Sequence, residues 1–398
     1  MEIKPGSLME WLITICSGIL CCILVATAAY VLFPLPYQSI GLPGLAASVL
    51  HVLFVYPALF LLAIALIAWF KKWMLSFLIF MLSFIIALMI AVIPLVQLTV
   101  AATEYNVNVS YSSALYYEKN KGDYSAIKTV AYKLEPGGKQ LMLDVWPAHA
   151  TTAAALKPAI IKIHGGGWSH GDKSDMSGWN TWLNSLGYHV FDIQYRLTPP
   201  ERWLDAICDV KSALQWVHSH ADEYGVDTGR LNLMGYSAGA QLALLTAYSA
   251  GNSFLDSCCN VSPMKVAGVI DIYGPTDLKL FYNSFNKSKH TASMLEQLIG
   301  GSPEKFPDRY ALISPVNYVN SNSPPTIIIH GADDKVVPVK QSELLNNALL
   351  SVGVQHEFYR LPACDHGFDF YWNGLAAQIA RDKVRIFLER NSNKNYSP

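Results

Sequence analysis

The sequence predicts an α/β protein: a mostly parallel sheet flanked by helices, with a small cap, preceded by three transmembrane helices. Three observations lead there. Strand-like and helix-like stretches alternate from Lys128 to Asn391, as in a parallel sheet with helical crossovers. The first quarter of the chain is nearly free of charge. The pentapeptide Gly235-Tyr236-Ser237-Ala238-Gly239 lies between two apolar runs, Leu231–Met234 and Gln241–Leu245, where a strand must turn sharply into a helix.

The charge pattern organises the chain. Charged residues make up 15% of the 398 residues, against about 25% in an ordinary soluble domain. The shortfall is local, since residues 1–103 carry only Glu2, Lys4, Glu10, Lys71 and Lys72. With a net charge of −1 and no basic run, the sequence excludes nucleic acid as a partner. The seven cysteines include no Cys-x-x-Cys spacing, so neither a zinc nor a redox site is expected. One or two disulfides suit an oxidising compartment, with their pairing left open.

Residues 1–103 read as a membrane anchor with spans at about 11–33, 45–70 and 73–100. Each run exceeds the ~20 residues that cross a bilayer core as a helix. Pro57 and Pro94 are compatible with membrane helices. Trp11, Tyr30, Trp69 and Trp73 stand near the run ends, where aromatic rings favour the interface. Lys4 and Lys71-Lys72 place the amino terminus and the second connection in the cytoplasm, so three crossings put everything after residue 104 on the other side. A rival reading makes the first run a signal peptide cleaved near Ala26-Thr27-Ala28, but its amino-terminal region lacks the net positive charge of one. The sequons at Asn108, Asn260, Asn286 and Asn395 are read as chance occurrences.

Residues 104–124 read as a polar linker, 125–391 as the catalytic domain and 392–398 as a tail. Lys128–Leu134 and Gln140–Val145 form an expected antiparallel pair around Pro136-Gly137-Gly138. Further strands are expected at Ala159–Ile163, Val190–Gln194, Leu231–Met234, Val266–Ile272, Thr326–Ile329 and Glu357–Leu361. Helical patterns cover Trp203–Tyr224, Gln241–Tyr248, Gln341–Val352 and Gly374–Asn391. Residues 275–318 break the rhythm after a strand end and suit a cap.

Four motifs fall at strand ends. The serine turn is flanked by Gly235 and Gly239, where a side chain would collide with the neighbouring strand or helix. His164-Gly165-Gly166-Gly167-Trp168 follows the Ala159–Ile163 strand, and a glycine loop there lets backbone N–H groups approach a developing oxyanion. His330-Gly331-Ala332-Asp333-Asp334 follows Thr326–Ile329 and offers two carboxylates to orient an imidazole. Asp365-His366-Gly367-Phe368 follows the last strand and supplies a general base. The order Ser237, acid, His366 is that of an α/β-hydrolase triad.

From about residue 125 to 390 the chain resembles α/β-hydrolases of the hormone-sensitive-lipase-like esterase group. It is also similar to feruloyl-esterase-type and prenylcysteine-methylesterase-type relatives. Besides the four motifs, the matching stretches are Tyr195-Arg196-Leu197 with Pro199-Pro200, Leu298-Ile299-Gly300-Gly301 and Ser314-Pro315. Thr198-Pro199-Pro200 departs from the Ala-Pro-Glu that the lipase-like group favours there. The resemblance implies Asp334, with Asp333 as the fallback, for the acid, and Gly166, Gly167 and Ala238 for the oxyanion hole. It implies a serine carboxylesterase acting on a small-molecule or lipid ester, with no cofactor and no metal. A peptidase or amidase on the same fold, or a non-catalytic receptor, is the alternative. His164 and His330 read as structural, and Asp365 as a residue that either solvates or positions its loop. Trp168 and Tyr236 are candidates for either the substrate pocket or the core.

Overall fold

A computed structural model describes residues 8–33, 42–123, 127–135, 137–148, 156–284 and 289–392. Most of the expected 34–44 connection, the end of the 104–124 linker, Pro136, the Asn286 and Asn395 sequons and residues 393–398 lie outside the described residues. The chain forms two compact units. One comprises Met1–Glu118, Gly331–Lys335 and Leu361–Ile379; the other comprises Lys119–His330, Val336–Arg360 and Ala380–Pro398.

The first unit is built on α1 (Leu8–Leu32), α2 (Leu42–Val49), α3 (Val55–Phe70) and α4 (Met74–Glu104). Three stretches are long and apolar enough to cross a membrane: Leu8–Leu32, His51–Phe70 and Met74–Glu104, of 25, 20 and 31 residues. The second expected run is broken, because α2 ends at Val49 and a 3-10 turn over His51–Phe54 precedes α3. Pro57 falls in the first turn of α3, where no intrahelical N–H is lost. At a ~1.5 Å rise per residue, α4 is ~46 Å long and exceeds a hydrocarbon core of ~30 Å.

The bundle is packed inside out compared with a soluble protein. Ala58, Ala65, Ala68, Ser76, Ser83, Ala87 and Ala91 are buried, whereas Ile19, Ile23, Phe60, Ile67, Leu78 and Leu82 face outward. Small side chains let helix backbones approach closely, which is the packing available when the surroundings are as apolar as the helix surface. A hydroxyl contact, Thr14 Oγ1 to Ser76 Oγ at 2.7 Å, joins α1 to α4. Residues 105–118 are tied down rather than loose. The Tyr56 hydroxyl donates to the Leu115 carbonyl at 2.7 Å, and the Ser110 N–H donates to Gln378 Oε1 at 2.6 Å.

The remaining elements form the sheet and its helices, in chain order β1 (Lys128–Leu134), β2 (Gln140–Trp146), β3 (Lys157–Ile163), α5 (Gly178–Ser185), β4 (His189–Ile193), α6 (Asp205–Ser219), α7 (Ala221–Tyr224), β5 (Val226–Tyr236), α8 (Ala238–Tyr248), α9 (Ser253–Cys259), β6 (Gly268–Ile272), α10 (Leu278–Tyr282), α11 (Lys289–Ile299), α12 (Pro307–Leu312), β7 (Thr326–Gly331), α13 (Lys340–Ser351), β8 (His356–Leu361) and α14 (Leu375–Ser392). The strand order is β1-β2-β4-β3-β5-β6-β7-β8. β2 is antiparallel to β1 and β4, and β3 to β7 pair in parallel. The mostly parallel sheet expected from the alternation is present. Sequence reasoning missed α5 and α9, whose short polar stretches carry no long apolar period.

The central strands are buried on both faces, as helices on each side of a parallel sheet require. One charged pair stands among them. Lys162 on β3 lies beside Asp192 on β4, Nζ to Oδ2 3.0 Å, both fully buried, and the Asn180 amide donates to the same oxygen at 2.7 Å. Burial pushes the Asp192 carboxyl up to about 7, against the pull of Lys162. Cys208 of α6 and Cys259 of α9 form a disulfide, the pairing that sequence left open. The same two helices are joined by Lys211 and Asp256, Nζ to Oδ1 2.8 Å.

The inside-out bundle has a direct test. Ala87 is fully buried on α4, whereas Leu82 is 51% exposed. Ala87→Leu is expected to lower bundle stability by about 1–3 kcal/mol through overpacking. Leu82→Ala is expected to change it by less than ~0.5 kcal/mol. Unfolding of the full-length protein in mixed micelles by sodium dodecyl sulfate measures both, and equal losses would contradict the packing.

Candidate active site

At the end of β5 the chain turns through Ser237 into α8. Ser237 has φ 54° and ψ −124°, outside the regions that side chains favour. Its N–H donates to the Ile272 carbonyl of β6 at 2.9 Å, which holds the turn against the sheet. The flanking glycines are required by space. A Cβ at Gly235 would stand 2.2 Å from the Gly239 carbonyl oxygen, and one at Gly239 would stand 2.2 Å from that of Ile163 and 2.4 Å from that of His164. Ser237 keeps partial solvent contact although its neighbours on both sides are buried.

The glycine loop after β3 lies against this turn. A Cβ at Gly165 would approach the Tyr236 carbonyl to 2.9 Å. Gly166, Gly167 and Trp168 all have positive φ, at 104°, 56° and 58°, so the loop coils tightly back on itself. His164 is buried under it, its Nδ1–H donating to the Gly165 carbonyl at 2.7 Å and its ring stacked on Tyr195 at 4.3 Å. Burial holds its imidazole down to about 4, so it is neutral across physiological pH. Trp168 is 1% exposed, and its indole N–H donates to Gln241 Oε1 at 3.0 Å. Gln241 in turn donates to the Ile313 carbonyl at 2.7 Å, linking loop, α8 and the cap region. Tyr236 is 5% exposed, with Lys162 Nζ 5.6 Å from its ring centre. The cap of α10, α11 and α12 meets the glycine loop at Met294, whose Sδ is 2.5 Å from where a Gly167 Cβ would be.

Asp334 and His366 come together in the first unit. His366 Nδ1–H donates to Asp334 Oδ2 at 2.7 Å, and the aspartate side chain is fully buried. Asp334 therefore fixes the tautomer that carries its proton on Nδ1. Burial alone would lower the His366 pKa, but the Asp334 charge and hydrogen bond, with Asp365 and Asp369 nearby, raise it above its ordinary value. Asp333, the other candidate acid, contributes its main-chain N–H to the Cys364 carbonyl at 3.0 Å.

The two loops are braced by Asp365 and Lys335. Asp365 Oδ1 accepts from the N–H groups of Lys335 at 2.9 Å and His366 at 2.7 Å, while Oδ2 pairs with Lys335 Nζ at 3.0 Å. Of the two readings of Asp365, solvating or positioning its loop, these bonds match the second. Gly331 permits the approach, since a Cβ there would stand 2.3 Å from the Cys364 carbonyl oxygen. In the second unit His330 is fully buried, its Nε2 donating to the Val337 carbonyl at 2.9 Å, as suits a structural histidine. Sequence reasoning missed Gln241, Met294 and Lys335. A glutamine among the apolar residues of α8, one turn after Ser237, was a visible signal; the other two became meaningful only once the fold was known.

The structure thus groups these residues in two sets. The glycine loop packs on the Ser237 turn within one unit, and Asp334 holds His366 within the other. In chain order Ser237 follows β5, Asp334 follows β7 and His366 follows β8.

Comparison with known proteins finds esterases among the similar chains. The chain is 31% identical over 256 residues to Esterase LipQ of Mycobacterium tuberculosis, covering 64% of this chain and 60% of the relative. It is 30% identical over 254 residues to Esterase LipC of the same organism, covering 63% and 62%. It is 27% identical over 218 residues to the isoprenylcysteine alpha-carbonyl methylesterase ICME of Arabidopsis thaliana, covering 51% and 48%. The chain spans about 60% of the length of the first of these relatives. Among solved structures, the esterase Est2 of Thermogutta terrifontis shares the fold with a TM-score of 0.57 at 23% identity, over 69% of this chain and 97% of that one. A truncated carbohydrate esterase from gut microbiota matches with a TM-score of 0.56 at 25% identity, over 68% and 98%. A protein-family model described as BD-FAE matches residues 143–349, from within β2 to within α13. Since that match spans just over half of the sequence, the chain belongs to the BD-FAE family.

Proposed function

We propose that this chain is a membrane-anchored serine carboxylesterase that cleaves esters through an acyl-enzyme on Ser237. The observation that carries the reading is the backbone of Ser237, a non-glycine residue at φ 54° in a turn whose flanking glycines admit no side chain. Strain of this kind persists where the surrounding fold enforces it, and it presents a side chain that a relaxed strand or helix would bury.

In this reading Ser237 Oγ attacks the ester carbonyl and forms the tetrahedral intermediate. His366 Nε2 takes the hydroxyl proton and returns it to the leaving alcohol. Asp334 holds the imidazole and stabilises its charged form. The N–H groups of Gly166, Gly167 and Ala238 receive the oxyanion, and Ala238 adds the amino end of α8. Water then repeats the sequence on the acyl-enzyme and frees Ser237. The esterase names of the relatives support ester hydrolysis here.

The anchor is read as three crossings with the catalytic residues outside the cytoplasm. Lys71-Lys72 between α3 and α4 supports that orientation. The Cys208–Cys259 disulfide supports it independently, since such bonds persist in oxidising compartments.

Turnover of p-nitrophenyl esters by the full-length protein tests the activity. Ser237→Ala is expected to lower kcat by at least ~10⁴-fold, and turnover equal to that of the parent would sink the nucleophile assignment. Asp334→Asn is expected to cost about 10⁴-fold in kcat, whereas Asp333→Asn stays near the parent. The pH profile carries the sign. The base must be neutral, so kcat/KM falls as pH drops through the His366 pKa, which lies above 6.5. Without the Asp334 charge, burial prevails and the residual activity of Asp334→Asn has its acid limb at lower pH. Equal costs at the two aspartates, or an unmoved limb, would reassign the acid.

Sidedness is tested with Cys258, an exposed free thiol. A membrane-impermeant maleimide added to sealed, right-side-out membranes is expected to label the protein, and Cys258→Ser to remove that label. Labelling at Cys258 only after the membranes are broken would put the catalytic residues in the cytoplasm.

A further inference from the structure

Within the first unit, large apolar side chains are exposed in two settings. One is the flank of the bundle. The other lies beyond its end, where α4 finishes and α3 begins. There Tyr56 is 50% exposed, Tyr111 49%, Tyr116 70%, Tyr117 55% and Phe370 49%. Five half-exposed rings on one compact unit are costly in water.

Two of these rings, Tyr56 and Tyr117, are held in place. The Tyr56 hydroxyl binds the Leu115 carbonyl at 2.7 Å, and Tyr117 stacks on Tyr371 with ring centres 5.7 Å apart. The Tyr371 hydroxyl donates to the Ala114 carbonyl of the same segment. The turn over Phe368–Phe370 carries Phe370 three residues after Gly367, which itself follows His366.

The acid and histidine loops are fixed to that same end of the bundle. Lys335 Nζ stands 4.6 Å from the ring centre of Tyr30, in the last turn of α1. A cation over a buried tyrosine face is attractive, and the same lysine grips Asp365 beside His366. A small cavity lined by Ser48, His51, Leu98, Cys364, Phe368 and Tyr371 marks where the end of α2, the turn before α3 and α4 meet the histidine loop. The bundle end, the aromatic rim and the residues next to His366 are therefore one continuous body.

We propose that this aromatic rim lies in the headgroup layer of the membrane that the helices cross, and that the substrate is an amphiphilic ester dissolved in that membrane. The proposal rests on the esterase reading and names its substrate class. The occupant of the rim follows from continuity: the rings adjoin the lipid-facing helices, and tyrosine, with an apolar body and a polar tip, favours the boundary between headgroups and acyl chains. Seating the rim there sets His366 at the membrane surface, level with the carbonyl of a lipid-borne ester rather than out in bulk water.

The test uses the full-length protein reconstituted in phosphatidylcholine vesicles with two substrates, water-soluble p-nitrophenyl acetate and vesicle-dissolved p-nitrophenyl palmitate. For the parent, the palmitate rate is expected to follow the ester's mole fraction in the lipid rather than its bulk concentration. The double variant Tyr111→Ser, Tyr116→Ser is expected to lose about tenfold on palmitate, the effect of withdrawing one to two aromatic rings from an apolar layer, and to keep its acetate rate within about twofold. Tyr111→Trp with Tyr116→Trp is expected to retain both rates, which separates ring partitioning from damage to the fold. An unchanged palmitate rate in the serine variant, equal loss on both substrates, or a palmitate rate that tracks bulk concentration overturns the proposal. A parent protein that hydrolyses neither ester refutes the esterase reading instead.

Discussion

The approach of one backbone to another at the end of β3 is the constraint on which the Ser237 turn and the glycine loop depend. Gly239 lies so close to the carbonyls of Ile163 and His164 that a single added carbon would stand 2.2 Å from the first. That contact sets where α8 begins and therefore where Ser237 must turn. It also sets the path of the glycine loop, which continues from His164 and folds back through three positive-φ residues. The N–H groups proposed to receive the oxyanion all lie on the two segments that meet there. Electrostatic stabilisation needs donors placed before the charge develops, and rigid backbone contact supplies that without reorganisation.

The acid and histidine loops solve a different problem. A carboxylate shielded from water is stable only if it is hydrogen-bonded or paired. Asp334 meets this with His366, and Asp365 meets it with two N–H groups and the Lys335 ammonium. The two buried acids near His366, one on its own loop and one on the acid loop, thus have separate tasks. One contacts the imidazole, while the other fixes the main chain that carries it.

The helical bundle obeys the opposite packing rule from the sheet. Around the sheet, large aliphatic side chains fill the interior, and Lys162 and Asp192 are buried as a pair. In the bundle, alanine and serine occupy many of the helix contacts, and many of the large side chains point outward. The reversal fits the proposed membrane anchor. Water drives large apolar groups inward, whereas lipid offers no such drive and leaves close backbone packing to decide the contacts.

Much of this was legible in the amino-acid order. The long uncharged runs, the alternation of strand and helix and the strand-to-helix serine turn are local signals, carried by residues near one another in sequence. They determine the three apolar helices, the mostly parallel sheet and the residue at its central turn. The break at His51, the short helices α5 and α9 and the docking of residues 105–118 were not legible, because each depends on partners far along the chain. The same holds for the histidine loop. Sequence offered Asp333 and Asp334 side by side, and only the folded loop shows that Asp334 reaches His366 at 2.7 Å. Cys208 and Cys259 likewise became partners through the packing of α6 on α9. The sequence by itself therefore determined which elements form and which residue types stand at their ends. Tertiary structure decided which of those residues touch, since hydrogen bonds and disulfides require separations of a few ångströms that chain order does not specify.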